Sequence, residues 1–222
     1  MFKIERKQKE LKQKEELNIR TKLNFPFKTF VINLNHRKDR LDAISKELEQ
    51  IGIKNWERFP GIIPTSIPKT FIPKKEEMYK KGSYGCLLSH LGVIKKAKEE
   101  NLEYVLILED DTGFKNNIVY LEDILKNKNW DMLYLNVTNS KHSKTCLNLL
   151  KLDFGFTTNA YFVHSRLYDF LIDRLPTVSE EIDLFYAKNI HSKYNCYCVT
   201  PFMTYQKPSY SNILNKNVAY NI

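Results

Sequence analysis

The stretch YVLILEDDTGF, residues 104–114, constrains the fold more than any other part of the chain. Its aliphatic run VLIL has no polar alternation, the pattern of a β-strand covered on both faces, as in parallel sheets. Such a strand needs helices above and below it, so a layered α/β architecture follows. Three carboxylates, Glu109, Asp110 and Asp111, come directly after the aliphatic run. Like charges at neighbouring positions repel, and beside an apolar core the repulsion is screened less than in water. Ligands of open α/β sheets bind outside the carboxyl ends of strands, and that is where these acids stand. Period-two geometry sets Glu109 and Asp111 on one side and Asp110 on the other. Two oxygen ligands on one side suit a hard divalent ion, Mn²⁺ or Mg²⁺, shared with phosphates. The competing reading is an acidic turn, with Asp111 capping a helix near Asn116.

The flanking sequence agrees with the layered reading. TFVINLN (29–35) is a β-rich apolar run. Residues 39–52 carry Leu41, Ile44, Leu48 and Ile51 on one helical stripe, with Asp39 and Asp42 at the start and Gly52 as the stop. WERFPGI predicts a second strand, and the proline-punctuated stretch after it predicts a loop. A helix is expected over GCLLSHLGVIKKAKEENL, another over NIVYLEDILKNK, and a strand over 131–137. TTNAYFVHS reads as a strand leading into the helix RLYDFLIDRL. SEEIDLFYAKNI reads as a helix, and CYCVTPFMTYQ as the last strand. Alternating strands and helices predict a mainly parallel sheet flanked by helices. Two segments are expected: a charged N-terminal arm or helix over residues 1–27, and a single domain over 28–222.

Charge narrows the functional classes. The formal net charge is +9, and the first twenty residues hold seven basic and four acidic side chains. A basic balance permits nucleic acid, anionic membranes or phosphate-bearing small molecules. No ribonucleoprotein-like aromatic signature is present, which argues against nucleic acid. No run of about eighteen apolar residues predicts a membrane span, and the N-terminus lacks the apolar segment of a secretory signal. The expectation is a cytoplasmic protein, compatible with peripheral membrane association. Cys86, Cys146, Cys196 and Cys198 form no metal-ligand spacing and read as free thiols of a reducing compartment. There is no glycine-rich phosphate loop of the GxGxxG or GxxxxGK type. Any nucleotide phosphates must therefore be handled by a metal and by side chains.

Two further motifs carry candidate site residues. VINLNHRKDR closes a strand with Asn33, Asn35, His36, Arg37 and Arg40, and arginine can grip phosphate through two parallel hydrogen bonds. GSYGCLLSH sets Gly82 and Gly85 before a helix, with Ser89 and His90 in its first turns, where anions are attracted. Surface arginines and a structural histidine are the plainer readings of the same residues.

In their order along the chain, VINLNHRKDR, GSYGCLLSH and LILEDD resemble the sugar transferases of glycosyltransferase family 25. WDMLYLN, AYFVHS, EIDLF and the ending PFMTYQKPSYSNI extend the resemblance over about residues 29–213. It implies a GT-A-type fold, a UDP-sugar donor, and Mn²⁺ (or Mg²⁺) held by the acidic motif. Carried over, Glu109 and Asp111 are the metal and diphosphate residues, and Asp110 is the middle acid near the ribose. Asn33, Arg37 and Arg40 are placed on the nucleotide side, with Ser89 and His90 as further donor-binding candidates. The chain ends this pattern with Ser211-Asn212-Ile213 where the family has Ser-Asp-Ile, so one carboxylate is missing. The implied reaction moves a hexose, galactose or glucose, from UDP to a hydroxyl on a glycan, a lipid-linked acceptor or a protein, with inversion. Among Asp153, Glu180, Glu181 and Asp183, Asp183 is the expected base, since it adjoins the inward stripe Ile182, Phe185 and Tyr186. Glu181 follows it as a candidate. The alternatives are a non-catalytic nucleotide-sugar-binding module and, more distantly, a basic nucleic-acid-binding protein.

Overall fold

The computed structural model of the protein describes residues 25–73, 77–126, 129–146, 148–211 and 216–218. Most of the expected N-terminal arm lies outside them. Phe25 and Phe27, at its end, are buried.

In chain order the elements are β1 (Lys28–Asn33), α1 (Lys38–Ile51), β2 (Trp56–Pro60), α2 (Glu77–Glu99), β3 (Tyr104–Glu109) and β4 (Thr112–Phe114). There follow α3 (Leu121–Leu125), β5 (Met132–Tyr134), β6 (Thr138–Cys146), β7 (Leu149–Phe156) and β8 (Ala160–His164). Then come α4 (Tyr168–Arg174), α5 (Ile182–Asn189), β9 (Cys196–Val199), β10 (Thr204–Gln206), β11 (Ser209–Ser211) and β12 (Lys216–Val218). Eight strands form one sheet in the order β2-β1-β3-β8-β5-β9-β7-β6. Its pairings are parallel for β1 with β2, β1 with β3, and β5 with β9, and antiparallel elsewhere. Following these pairings across the sheet, β8 and β7 run against the other strands. The expected α/β class with a large, mostly co-directional sheet is what the chain adopts.

Strand β3 shows why both faces must be covered. Val105 and Ile107 join one core cluster, while Leu106 and Leu108 join the other. All four are fully buried, and each such side chain contributes about 1.5–3 kcal/mol. On the first face they meet Leu87, Leu91 and Ile94 of α2, Leu171 of α4, and Phe185 and Tyr186 of α5. On the second they meet Ile44, Leu48 and Ile51 of α1, and Leu121 and Leu125 of α3. Helix α1 ends as expected at Gly52, whose φ of 83° is left-handed and suits a residue without Cβ. The Gly52 and Ile53 amides return to the carbonyls of Glu49 and Leu48, which satisfies the last turn.

Three expectations are corrected. Helix α2 is under way at residue 77, so Gly82 and Gly85 lie within it, and Ser89 and His90 are in its middle. The anion-binding helix N-terminus expected there does not exist. Glycine is a poor helix former and so suggests a helix boundary, but tertiary packing overrides the propensity here. A Cβ at Gly85 would come 2.5 Å from the Ile62 carbonyl oxygen, and one at Gly92 would come 2.4 Å from the Phe59 ring. Next, the final strand is two strands, β9 and β10, separated around the cis peptide Thr200-Pro201. Finally, Thr138–Cys146 and Leu149–Phe156, where the pattern marks no element, pair antiparallel as β6 and β7 at the sheet edge.

His191 is buried on the first face, with Nε2 2.9 Å from the Tyr134 hydroxyl. Burial, reinforced by the charge of Lys151, lowers its pKa from 6.5 to about 4. A folded-state value below the unfolded one means that stability is full above about pH 6.5 and is lost as pH falls towards 4. The loss can reach about 3 kcal/mol, at about 1.4 kcal/mol per pH unit. Urea denaturation of His191→Gln is expected to show a flatter stability profile between pH 7 and 4.5. A profile as steep as that of the unaltered protein would assign the acid loss elsewhere.

Candidate active site

The carboxyl ends of β1, β2 and β3 lie side by side, with Asn33 paired to Pro60 and Ile32 to Glu109. A cleft of about 290 Å³ opens over these ends. The acids Glu109, Asp110 and Asp111 line it from β3 and the turn that follows. Helix α2 supplies Cys86, Ser89 and His90, while α1 supplies Arg40 and β10 supplies Gln206.

Strand β3 ends at Glu109, so strict alternation stops before the second and third acids. Asp110 and Asp111 instead share one cation. Nη1 of Arg40 lies 2.6 Å from Asp110 Oδ1 and 3.4 Å from Asp111 Oδ2. Asn33 Nδ2 donates to Asp110 Oδ2 at 2.7 Å, and Arg58 Nε holds Asn33 by its Oδ1 at 2.9 Å. Asn159 Nδ2 and Gln206 Nε2 donate to Asp111 at 3.0 and 3.2 Å. Glu109 is turned towards α2. It accepts from the Thr158 hydroxyl at 2.7 Å, and His90 Nε2 stands 3.5 Å from its Oε1. The competing reading of Asp111 as a helix cap near Asn116 fails, since Lys115 precedes that turn and no side chain caps it.

Burial pushes the Asp111 carboxyl up to about 7, and the negative charges of Glu109 and Asp110 add to this against Arg40 and Gln206. Asp110 is also raised, by burial against the pull of Arg40 and Asn33. Arg40 is the cation that pairs with Asp110 and Asp111, and the three acids do not form a group whose ligand atoms all lie within 4.8 Å of one another.

The remaining expected residues are distributed unevenly. Ser89 donates to the Gly85 carbonyl at 2.6 Å and accepts from the Ile62 amide at 2.8 Å, so it anchors the loop along the cleft. His90 is 1% exposed, with Nδ1 2.9 Å from the Tyr161 hydroxyl. Arg37 is half-buried, its guanidinium on Asp39 at 2.9–3.0 Å and its carbonyl accepting from Asn33. Asp183 opens α5, its Oδ1 accepting from the Leu184 amide at 2.8 Å. Burial raises its pKa, and the charges of Glu181 and Glu109 raise it further. Neither Asp183 nor Glu181 is among the residues that line the cleft. Glu181 interacts instead with the Tyr79 hydroxyl. Asp153 lies on the edge hairpin, accepting from Ser143.

Sequence reasoning missed Arg58, Thr158, Asn159 and Gln206. The last three lay within quoted segments but carry neutral side chains, which gave no signal of their own. Thr157, just before them, has a left-handed φ of 103°. A β-branched residue there is strained, a feature that gathers at functional sites.

Procollagen galactosyltransferase 2 of Mus musculus is 27% identical over 197 residues, covering 76% of this chain and 32% of that protein. A Glycosyltransferase 25 family member of Drosophila melanogaster is 25% identical over 188 residues, covering 72% of this chain and 31% of that protein. The chain thus spans about a third of the length of these relatives. In fold it is similar to the crystal structure of A197 from STIV, with a TM-score of 0.51 at 9% identity, covering 89% of this chain and 95% of that one. The profile of Glycosyltransferase family 25 (LPS biosynthesis protein) matches residues 27–167, a span that holds the three strand ends, helix α2 and the acidic motif; the chain belongs to glycosyltransferase family 25.

Proposed function

We propose that the protein is a GT-A-type, metal-dependent hexosyltransferase. It takes galactose or glucose from a UDP-sugar to an acceptor hydroxyl on a glycan, a lipid-linked molecule or a protein, with inversion. The observation that carries this reading is the gathering of three carboxylates at the strand ends, with Arg40 bridging Asp110 and Asp111 and Glu109 turned to the same cleft from β3. The names of the galactosyltransferase relatives support the sugar class.

Glu109 and Asp111 would hold Mn²⁺ or Mg²⁺. When bound, the cation supplies positive charge against the diphosphate leaving group. The chain's own residues do the rest. Arg40, linked to Asp110 and Asp111, offers its guanidinium to phosphate oxygens at the mouth of the cleft. Asn33, held by Arg58, fixes Asp110 on the nucleoside side. Asp183 takes the proton from the acceptor hydroxyl, and its raised pKa brings it nearer the working range of a general base. Glu181, paired with Tyr79, is the reserve candidate. Ser89 keeps the cleft-side loop against α2, and His90 faces the donor side beside Glu109.

Release of UDP from a panel of UDP-hexoses, with and without EDTA, tests the reading. One or two hexoses should be turned over, EDTA should stop this, and Mn²⁺ should restore it. No release from any donor with Mn²⁺ present, together with no thermal stabilisation by UDP plus Mn²⁺, would favour a different activity. Arg40→Ala should weaken UDP binding, measured calorimetrically at saturating Mn²⁺, by about 1.5–3 kcal/mol, the range of a charge-assisted hydrogen bond. Unchanged UDP affinity would leave Arg40 as a counter-ion for the acids alone.

Among the described residues no helix is long and apolar enough to cross a membrane.

A further inference from the structure

The hard-cation reading uses Glu109 and Asp111 and gives neither Cys86 nor His90 of α2 a part in holding metal. Cys86 and His90 are four residues apart, so they share one helix face, and both line the cleft. The Cys86 Sγ, a ring nitrogen of His90 and a carboxylate oxygen of Glu109 all lie within 4.8 Å of one another. His90 is 1% exposed, and its Nε2 makes no hydrogen bond. The nearest acid oxygen, Oε1 of Glu109, is 3.5 Å away, too far for a good hydrogen bond.

That separation has a specific meaning for a metal. A tetrahedral ion with nitrogen and oxygen ligands at about 2.0–2.1 Å holds those two atoms about 3.3–3.4 Å apart. The imidazole and the carboxylate already stand at nearly this spacing. Rotation about the Cys86 Cα–Cβ bond can close the remaining distance to sulfur, on the order of 1 Å. Outer contacts fix the other two ligands: Tyr161 meets His90 Nδ1 at 2.9 Å, and Thr158 donates to Glu109 at 2.7 Å. Histidine and carboxylate ligands of metals are characteristically held in this way.

We propose that Cys86, His90 and Glu109 form a site for a thiophilic divalent cation of the Zn²⁺ class, with its fourth position open to the cleft. A thiolate–imidazole pair selects such ions over Mn²⁺ or Mg²⁺, which prefer oxygen ligands. Binding releases the Cys86 thiol proton to solvent and involves no change of oxidation state. The site does not depend on sugar transfer. Because it shares Glu109 with the hard-cation site, Zn²⁺ and Mn²⁺ should compete, and Zn²⁺ should oppose any Mn²⁺-supported reaction.

Cobalt(II) is a spectroscopic stand-in for Zn²⁺. The full chain should take up one equivalent of Co²⁺ with a thiolate-to-cobalt charge-transfer band and intense tetrahedral visible bands, and Zn²⁺ should erase both. Cys86→Ser should lose the charge-transfer band and bind Zn²⁺ at least about tenfold more weakly. Its metal-free melting curve should match that of the unaltered protein, and Mn²⁺ binding, read by electron paramagnetic resonance, should survive. The proposal is overturned by the absence of a thiolate band in the unaltered protein. It is equally overturned by an undiminished band in Cys86→Ser, which would assign the ion to another cysteine. Loss of Mn²⁺ binding in Cys86→Ser would also overturn it as a site separate in chemistry from the acidic one.

Discussion

Asp111→Asn is expected to reduce sugar-nucleotide turnover by at least about 10³-fold, the scale on which a charge-stabilising group matters to a polar transition state. The protein should nevertheless remain folded. Asp111 is 7% exposed, and its acceptors are met by Asn159, Gln206 and Arg40. Asparagine keeps the shape and one acceptor oxygen, which can still receive Asn159. Its amide would face the Gln206 and Arg40 donors, a local cost of about 1–3 kcal/mol for unsatisfied groups. Against that cost, the substitution removes a carboxylate whose ionisation burial and Glu109 already oppose, to a pKa of about 7. The two effects offset one another in the metal-free protein, and they diverge once a cation is added. Mn²⁺ titration by calorimetry should show heat for the unaltered protein and almost none for Asp111→Asn. Turnover within tenfold of the unaltered enzyme would remove Asp111 from the metal site.

What the sequence disclosed and what it withheld divide along a physical line. The unalternated VLIL of β3 required cover on both faces, and the two core clusters part it residue by residue. The stripe of α1 and its Gly52 stop are local signals, decided within one turn of helix, and both are present in the fold. The meeting of Asn33 and Arg40 with Asp110 and Asp111 follows from strand ends that lie side by side in a parallel pairing. The start of α2 was not legible, because Gly85 and Gly92 are required by the approach of Ile62 and Phe59 from another segment. The β6–β7 hairpin carries exposed Lys141, His142 and Ser143 and several register shifts, so no clean period-two pattern marks it. Asn159 and Gln206 reach Asp111 from 48 and 95 residues away. Neutral amides at such separations become site residues only when antiparallel strands deliver them. The division of the three acids failed for a similar reason: β3 ends at Glu109, and the turn redirects Asp110 and Asp111 to Arg40.

Asp183→Asn carries the other large expected effect, a fall in turnover on the order of 10²–10⁴-fold. Inverting transfer needs a carboxylate on the acceptor side, and a carboxylate engaged by a cation is a poor base, which disfavours Glu109 and Asp111. Asp183 is not among the residues that line the cleft, although the charge of Glu109 reaches it and helps to raise its pKa. Its Oδ1 is occupied by the Leu184 amide, which orients the carboxylate and leaves its second oxygen for a proton. Asparagine can keep the Leu184 hydrogen bond through its own oxygen, so α5 should still begin at the same place. A residue that merely caps the helix would therefore tolerate the change, with melting temperature and turnover both nearly unaltered. A base would not tolerate it: kcat should fall steeply while UDP and Mn²⁺ affinities stay within about twofold. Donor hydrolysis by water should fall together with transfer, since water needs the same proton acceptor. The pH–rate profile separates the two roles further, because the acidic limb of kcat should disappear with the carboxylate. If turnover stays within a few-fold and the limb persists, the proton goes elsewhere. Glu181, one residue before α5 and next to Tyr79, is then the group to replace.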